Sequence, residues 1–235
     1  MCQTGQYLRE RGQYAEAEPF LKQALMLFEQ SVGRDHLDIV QSYLAIALAL
    51  MSLGLLYEAQ GNYSEAESLY KRGLAIYEQE LGPMHFYTAT SLHNLARLYL
   101  EQEKYAEAEP LFQRSLAIRE QQLGPMHHDT AIVLNNLAKL YREQERYAEA
   151  EPLFQRGLAI REQQFGPMHP STADSLFNLA VLYDKQGKYV EADSLYQRAL
   201  AICEQKLGPN HPTTKIMEQK YSSFLQSLSL HKEKK

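Results

Sequence analysis

The chain has 235 residues, a formal net charge of −5 and no tryptophan. This mild negative charge excludes the strong positive field of a nucleic-acid-binding domain, and we expect neither a nucleic-acid nor a membrane partner. Cys2 and Cys203, the only cysteines, are too few for a disulfide framework or a thiolate metal site. Cysteine usage of this kind is typical of a reducing compartment, and it predicts a cytoplasmic location.

A Gly-Pro pair recurs at a fixed interval along the chain. It opens at Gly82, Gly124, Gly166 and Gly208, so that each interval is 42 residues. A fixed period in this range indicates an array of stacked supersecondary units that share a continuous core. We therefore predict a single domain over residues 1–230.

The array begins within a repeat. Residues 1–12 match the second half of a helix whose first half is missing, and the segment from Tyr14 to about Ser31 is expected to form the next helix. Gly33 would end it. We assign residues 1–36 to this partial first repeat.

The next repeat, residues 37–84, is seven residues longer than the others. The excess lies in two similar heptads, 43–49 and 50–56. Seven residues are close to two helical turns, so the insertion is expected to lengthen the first helix by about 10 Å and to keep its apolar face. A looped-out segment is the alternative.

The same region contains an uncharged stretch. From Ile39 to Tyr57 nineteen residues carry no formal charge, a length that could just span a bilayer. Gln41, Ser42 and Ser52 interrupt it, and its second half copies the repeat. We interpret it as a buried helix.

Residues 85–126, 127–168 and 169–210 form regular repeats. Within the first of them, apolar residues such as Leu92 and Leu95 recur at spacings of three and four, which is the period of a buried helical face. Each repeat is thus predicted to be a pair of helices in an all-α fold. The following pairs are expected to cap the next helix: Asp129-Thr130 and Ser171-Thr172.

The last segment, residues 211–230, begins like another first helix. It has Glu218 and Lys220 where Leu176 and Asn178 stand one period earlier. A polar face is what the exposed end of a stack requires, so we predict a C-terminal capping helix. Residues 231–235 are expected to be a disordered tail.

The pattern Leu-x-Asn-Leu-Ala-x-Leu-Tyr, followed by Tyr-x-Glu-Ala and Leu-Gly-Pro-x-His-Pro, resembles tetratricopeptide repeats. The 42-residue period resembles the kinesin-light-chain subtype, whose relatives are widespread in bacteria. This resemblance implies a right-handed α-solenoid of stacked antiparallel helix pairs, a superhelix whose first helices line the concave surface. It also implies a protein that binds a partner protein or peptide.

The resemblance suggests which exposed residues bind the ligand. By analogy with peptide-binding members, side chains that hold a ligand backbone and its acidic groups match five positions of this chain: Asn94, Arg97, Asn136, Lys139 and Asn178. Three neighbours on the same stripe complete the predicted site: His93, Asn135 and Arg142. The alternative is that the asparagines only brace neighbouring helices and that the basic residues are solvated surface charges. Apolar residues continue the stripe at Met51, Leu55, Phe177 and Val181.

The resulting hypothesis is a protein–protein interaction scaffold that binds an extended, acidic and hydrophobic peptide in its concave groove. Two alternatives stay open. One is a self-associating array, with a homodimer formed through the N-terminal repeat and its insertion; the other is an adaptor fragment of a larger signalling protein.

Recurrent histidines could suggest a metal site. They occur at His36, His85, His127, His128, His169 and His211. Successive loops of a solenoid lie about 10 Å apart, too far for shared ligation at about 2 Å, so we expect these histidines to order the loops. No catalytic constellation stands apart from the repeat pattern, and we expect no enzymatic activity, no metal and no cofactor.

Overall fold

In a computed structural model, the structure describes residues 14–30 and 36–233, and within these ranges the regular elements are all α-helices. The helices are α1 (Tyr14–Gln30), α2 (His36–Ala59), α3 (Tyr63–Leu81), α4 (Phe86–Glu101), α5 (Tyr105–Leu123), α6 (His128–Glu143), α7 (Tyr147–Phe165), α8 (Pro170–Lys185), α9 (Tyr189–Leu207) and α10 (Pro212–Glu233). The predicted all-α fold of stacked helix pairs is confirmed. The expectations for residues 1–12, Cys2 and Gly33 lie outside the described residues.

The helices form two compact units, one ending at Gln122 and the other beginning at Leu123. In the N-terminal unit, α2 packs against α1 and α3, and α3 packs against α4. In the C-terminal unit, the pairs α6 with α7 and α8 with α9 stack on each other, and α10 packs on α9. Each core is built from the apolar face that the three- and four-residue spacings predict.

The seven-residue insertion lengthens a helix. Helix α2 has 24 residues, whereas the corresponding first helices α4, α6 and α8 have 16 each. Its segment Val40–Ala59 is long and apolar enough to span a membrane by length and composition, and about half of its most apolar stretch is buried inside the protein. Leu53 and Leu56 pack there against Ala17 and Leu21 of α1. The predicted extension is confirmed, and Leu53 and Leu56 belong to the core of the N-terminal unit.

The recurrent histidines cap the first helices. The Nδ1 atoms of His85, His127 and His169 accept hydrogen bonds from the backbone amides two residues further on, at 3.1–3.2 Å. The expected loop-ordering role is therefore confirmed for these three histidines.

The expected caps at Asp129-Thr130 and Ser171-Thr172 are wrong, because the histidine side chain already accepts the amide hydrogen. The threonine hydroxyls instead bond to the preceding Gly-Pro turn: the Oγ1 atoms of Thr130 and Thr172 donate to the carbonyls of Gly124 and Gly166. They thereby satisfy acceptors at the end of the preceding helix.

The C-terminal helix is longer than predicted. Helix α10 continues to Glu233, three residues beyond the predicted end at residue 230. No glycine or proline follows Leu230 to end the helix, and lysines are favourable near the negative end of a helix. Tyr221 and Phe224 fix the helix to α9 through ring contacts with Tyr196 at 5.7 and 5.2 Å.

Two turn positions of the described residues hold a side chain in the left-handed region, Glu103 with a φ of 59° and Glu145 with a φ of 60°. Glu145 follows the end of α6 and has a φ of 60°, whereas the matching position one period later is Gly187 with a φ of 74°. A side chain is disfavoured in this left-handed conformation and glycine is not. We expect Glu145→Gly to raise the free energy of unfolding by about 0.5–1 kcal/mol in urea denaturation. Glu143→Gly, inside the last turn of α6, should lower it.

Candidate functional site

Two adjoining recesses open on helices α6, α8 and α10 of the C-terminal unit. The first has a volume of about 380 Å³ and the second of about 510 Å³. They share Lys139, Phe177 and Asn178, and we call the two together the groove. Polar residues of the first recess are Asn135, Asn136, Lys139, Arg161, Asp174, Asn178 and Thr213. Polar residues of the second include Lys139, Arg142, Asn178, Asp184, Lys185 and Lys220.

Five of the predicted binding residues line this groove: Asn135, Asn136, Lys139, Arg142 and Asn178. Asn136 lines the first recess, Arg142 lines the second, and both Lys139 and Asn178 line the two. The Asn178 Nδ2 atom donates to the backbone carbonyl of Asp174 at 2.9 Å, and this bond fixes the orientation of its amide. The three- and four-residue spacings on α6 and α8 thus bring these side chains to one face.

Asn135 is the buried floor of the first recess and is only 3% exposed. Its Nδ2 donates to the Ala131 carbonyl at 2.8 Å, and its Oδ1 accepts from Ser175 Oγ at 3.5 Å. A Cβ atom added at Gly157 would lie 2.5 Å from the same Nδ2, so the glycine makes room for the amide. Asn135 therefore braces α6, α7 and α8, as the alternative interpretation of the asparagines proposed.

The charges of the first recess surround one carboxylate. Burial lowers the pKa of Lys139, and the nearby positive charge of Arg142 lowers it further. The pKa of Asp174 is raised because protein atoms displace water around it, although Arg161 and Lys139 act in the opposite direction. Arg161 reaches the recess from α7 and donates to the Ser171 carbonyl at 2.6 Å. The recess therefore concentrates charge in a partly desolvated setting.

The second recess is rich in basic side chains. Lys139, Arg142, Lys185 and Lys220 line it together with a single carboxylate, that of Asp184. The Arg142 guanidinium also pairs with Glu143 at 2.7 Å, outside the lining. Phe177, Val181, Tyr196 and Phe224 supply its apolar wall.

The predicted residues of the N-terminal unit lie in a different setting. His93 is 7% exposed and its ring lies 5.6 Å from that of Phe112. Burial, reinforced by the charges of Arg119 and Arg97, lowers the pKa of His93 to about 3, so the ring stays neutral in the core. The expectation that His93 lies on an exposed stripe is wrong, because its position faces the paired helix. Asn94 is half-buried on α4.

Arg97 is neutralised within the protein. Its Nη2 atom donates to Glu58 Oε2 at 2.9 Å, and the same oxygen accepts from the fully buried Tyr70 hydroxyl at 2.6 Å. Glu58 is only 8% exposed. The interpretation of Arg97 as a solvated surface charge is therefore also wrong, because the insertion-bearing helix supplies a carboxylate at this point.

Sequence reasoning missed the groove residues that come from other elements. Arg161 lies on a second helix, and its register equivalents Arg119 and Cys203 are 4% and 0% exposed. In each repeat this position directly follows an isoleucine of the buried face. That neighbour is a signal in the sequence that the side chain at this position is directed toward the core. Lys220 and Ile216 lie on the capping helix, whose polar residues the repeat pattern predicts only to be solubilising.

Three consecutive residues bring possible metal ligands close together. Candidate atoms of His127, His128 and Asp129 lie within 4.8 Å of one another. The His127 Nδ1 atom already accepts the amide hydrogen of Asp129, and the group stands at the positive end of α6. Both features disfavour a cation at this place.

Family models of the tetratricopeptide repeat match residues 3–38, 45–121, 87–163 and 129–205, which is most of the chain. The chain belongs to the tetratricopeptide repeat family. None of the curated proteins matches it. Tetratricopeptide repeats form scaffolds for protein–protein interaction, and that general role applies to this chain.

Solved structures identify the subtype of the tetratricopeptide repeats. BtubC (BKLC) from P. vanneervenii has a TM-score of 0.71 and 24% identity, over 88% of this chain and 80% of that one. A putative kinesin light chain from Podosopora anserina has a TM-score of 0.66 and 26% identity, over 87% and 93% of the two chains. A variant of the Podosopora anserina protein has a TM-score of 0.68 and 26% identity, over 88% and 94%. The predicted kinesin-light-chain-like subtype is therefore confirmed.

Proposed function

We propose that the groove of the C-terminal unit binds an extended segment of a partner protein that carries acidic and hydrophobic side chains. The observation that carries this proposal is the convergence of Asn136, Lys139, Arg142 and Asn178 on two adjoining recesses. The resemblance to peptide-binding tetratricopeptide repeats points to Asn136, Lys139 and Asn178, and Arg142 lies on the same stripe.

Each class of groove residue suits one part of such a ligand. An asparagine amide both donates and accepts, so Asn136 and Asn178 suit the amide groups of an extended main chain. Lys139 and Arg142 suit carboxylates. Phe177, Val181 and the 56%-exposed Ile216 offer apolar contact area. The ligand is therefore a peptide that carries both acidic and apolar side chains.

The pairing of Arg97 favours the C-terminal unit over the N-terminal one. A ligand carboxylate at Arg97 would compete with Glu58, which is already buried at hydrogen-bonding distance from that guanidinium. Lys139 has no ion pair of this kind in the described part of the chain, although Asp174 and Glu143 lie near enough to affect its pKa. Acidic ligands should therefore prefer the groove around Lys139.

Selection from a library of random dodecapeptides tests the proposal. The wild-type protein should enrich sequences with at least one acidic and one large apolar residue, and Asn136→Ala/Asn178→Ala should lose them. Asn210→Ala, at an exposed loop position, is the matched control and should keep them. Enrichment of the same peptides by the double variant would contradict binding in the groove.

A specific observation keeps self-association as a second candidate. Met26 and Leu27 of α1 and Leu48 of α2 are 55%, 45% and 44% exposed, and they offer an apolar surface next to the insertion. A homodimer through this surface would double the molar mass in light scattering, whereas a mass independent of concentration would exclude it. An adaptor within a larger signalling protein, acting in the cytoplasm, is compatible with either candidate.

A further inference from the structure

The second recess carries more positive charge than one carboxylate of a ligand can neutralise. Its lining has four basic side chains, Lys139, Arg142, Lys185 and Lys220, against the carboxylate of Asp184. Like charges that share a recess repel one another, and the repulsion is relieved when an anion enters. An anion of more than one charge would therefore neutralise this lining better than a single carboxylate does.

The repeat register shows how this excess arises. Two periods separate Glu58 from Arg142, and two periods separate Arg97 from Val181. At the register position of Glu58, the C-terminal unit thus has the guanidinium of Arg142. At the register position of Arg97, it has the apolar side chain of Val181. The ion pair between helices found at Glu58 cannot form at Arg142, since the position opposite it, Val181, has no charge.

The remaining lining suits a phosphorylated side chain. Phe177, Val181 and Phe224 provide an apolar wall for its carbon atoms, and Ser223 and Asn178 bring further hydrogen-bonding groups to the same recess. A volume of about 510 Å³ is ample for such a side chain.

We propose that the second recess binds a phosphoryl group on a side chain of the partner peptide. This inference rests on the proposed function and specifies its acidic group. A phosphoryl group carries a charge of about −1.5 to −2 and three acceptor oxygens, whereas a carboxylate carries one charge and two oxygens. It therefore neutralises more of the four cations and accepts more of their hydrogen bonds.

The existing ion pair of Arg142 does not prevent this binding. Glu143, its partner, is 49% exposed, and an ion pair with one partner in solvent is weak because water screens the attraction. A dianion held by several cations outcompetes it. Glu143 lies outside the lining of the recess, so it can turn into solvent while Arg142 stays in place.

NMR titration of the full chain tests the inference with defined probes. The probes are phosphotyrosine and phosphoserine with acetylated N-termini and amidated C-termini, the equivalent glutamate compound and inorganic phosphate. We expect the phosphoamino acids to bind about tenfold more tightly than glutamate, with shifts at the amides of Asn178, Lys220 and Phe224. Lys185→Ala/Lys220→Ala should weaken their binding about tenfold.

Lys206→Ala/Lys215→Ala is the matched control, because these lysines are exposed on α9 and α10 and do not line the recess. It should bind the phosphoamino acids like the wild type. Equal affinity for glutamate would overturn the phosphoryl inference and leave the proposed peptide groove intact. Equal affinity for inorganic phosphate, or unchanged binding by Lys185→Ala/Lys220→Ala, would also overturn it.

Discussion

Glu58→Ala is expected to lower the free energy of unfolding of the N-terminal unit by about 2–4 kcal/mol. The Glu58 carboxylate accepts hydrogen bonds from the fully buried Tyr70 hydroxyl and from Arg97. Its removal leaves the hydroxyl with no acceptor there and opens a cavity, while Arg97, about one third exposed, regains part of its hydration. Urea denaturation followed by circular dichroism measures the loss.

Two further variants separate the hydrogen bonds from the charge. Glu58→Ala/Tyr70→Phe removes both buried partners and should recover part of the lost stability. Glu58→Gln keeps an acceptor and should lose less than about 1 kcal/mol at pH 7. A loss by Glu58→Gln as large as that of Glu58→Ala would contradict the hydrogen-bonding role.

The pH dependence of stability gives an independent check on Glu58. Burial raises its pKa above the ordinary value of 4.5, although Arg97 and Tyr70 oppose the shift. Between that value and the higher folded pKa, the folded state binds more protons than the unfolded state, so stability falls as the pH rises. Wild-type protein should therefore lose stability relative to Glu58→Gln as the pH rises from 4.5 toward neutrality.

The second large effect is expected at Lys139. Lys139→Met should lower the affinity for a selected acidic peptide about tenfold or more, because it removes the cation shared by both recesses. The stability of the folded protein should stay unchanged or increase. Burial lowers the pKa of Lys139, so folding disfavours its charge, and methionine has no charge to desolvate. Fluorescence anisotropy and urea denaturation measure the two quantities.

Lys215→Met, on the exposed part of α10, is the control for Lys139→Met and should change neither quantity. The pH adds a second test. Since the folded pKa of Lys139 lies below the value of 10.5 in the unfolded chain, wild-type stability should rise relative to Lys139→Met as the pH approaches 10.5 from below. A joint loss of affinity and stability would instead assign Lys139 a structural role.

The sequence predicted the fold because its repeats vary little in the residues that decide helix packing. Leu95 and Ala96 recur as Leu137 and Ala138, and all four are buried. The insertion could also be predicted, since seven residues preserve the apolar face of a helix. The predicted helix caps were wrong. An aspartate or serine and a histidine could each accept a backbone amide hydrogen at the start of the helix, and only the geometry of the loop selects the histidine.

The site was only partly predictable because each groove position has a different neighbour in each repeat. Arg97, Lys139 and Val181 share one register position, yet Arg97 pairs with Glu58 whereas Val181 lies in the same recess as Arg142. His93 and Asn135 share another, and both are buried against their paired helices. The repeat period identifies which residues share one helix face. Whether a charge on that face is paired depends on a residue of the neighbouring repeat, and that residue differs from one repeat to the next.

The most direct test of the account is to locate a selected peptide on the protein in solution. A spin label on the peptide should broaden the NMR signals of Asn136, Phe177, Asn178 and Lys220, which line the groove. Signals of Gln155 and Gln197, exposed on the second helices α7 and α9, should stay sharp. Broadening confined to those second helices would contradict the groove as the binding site.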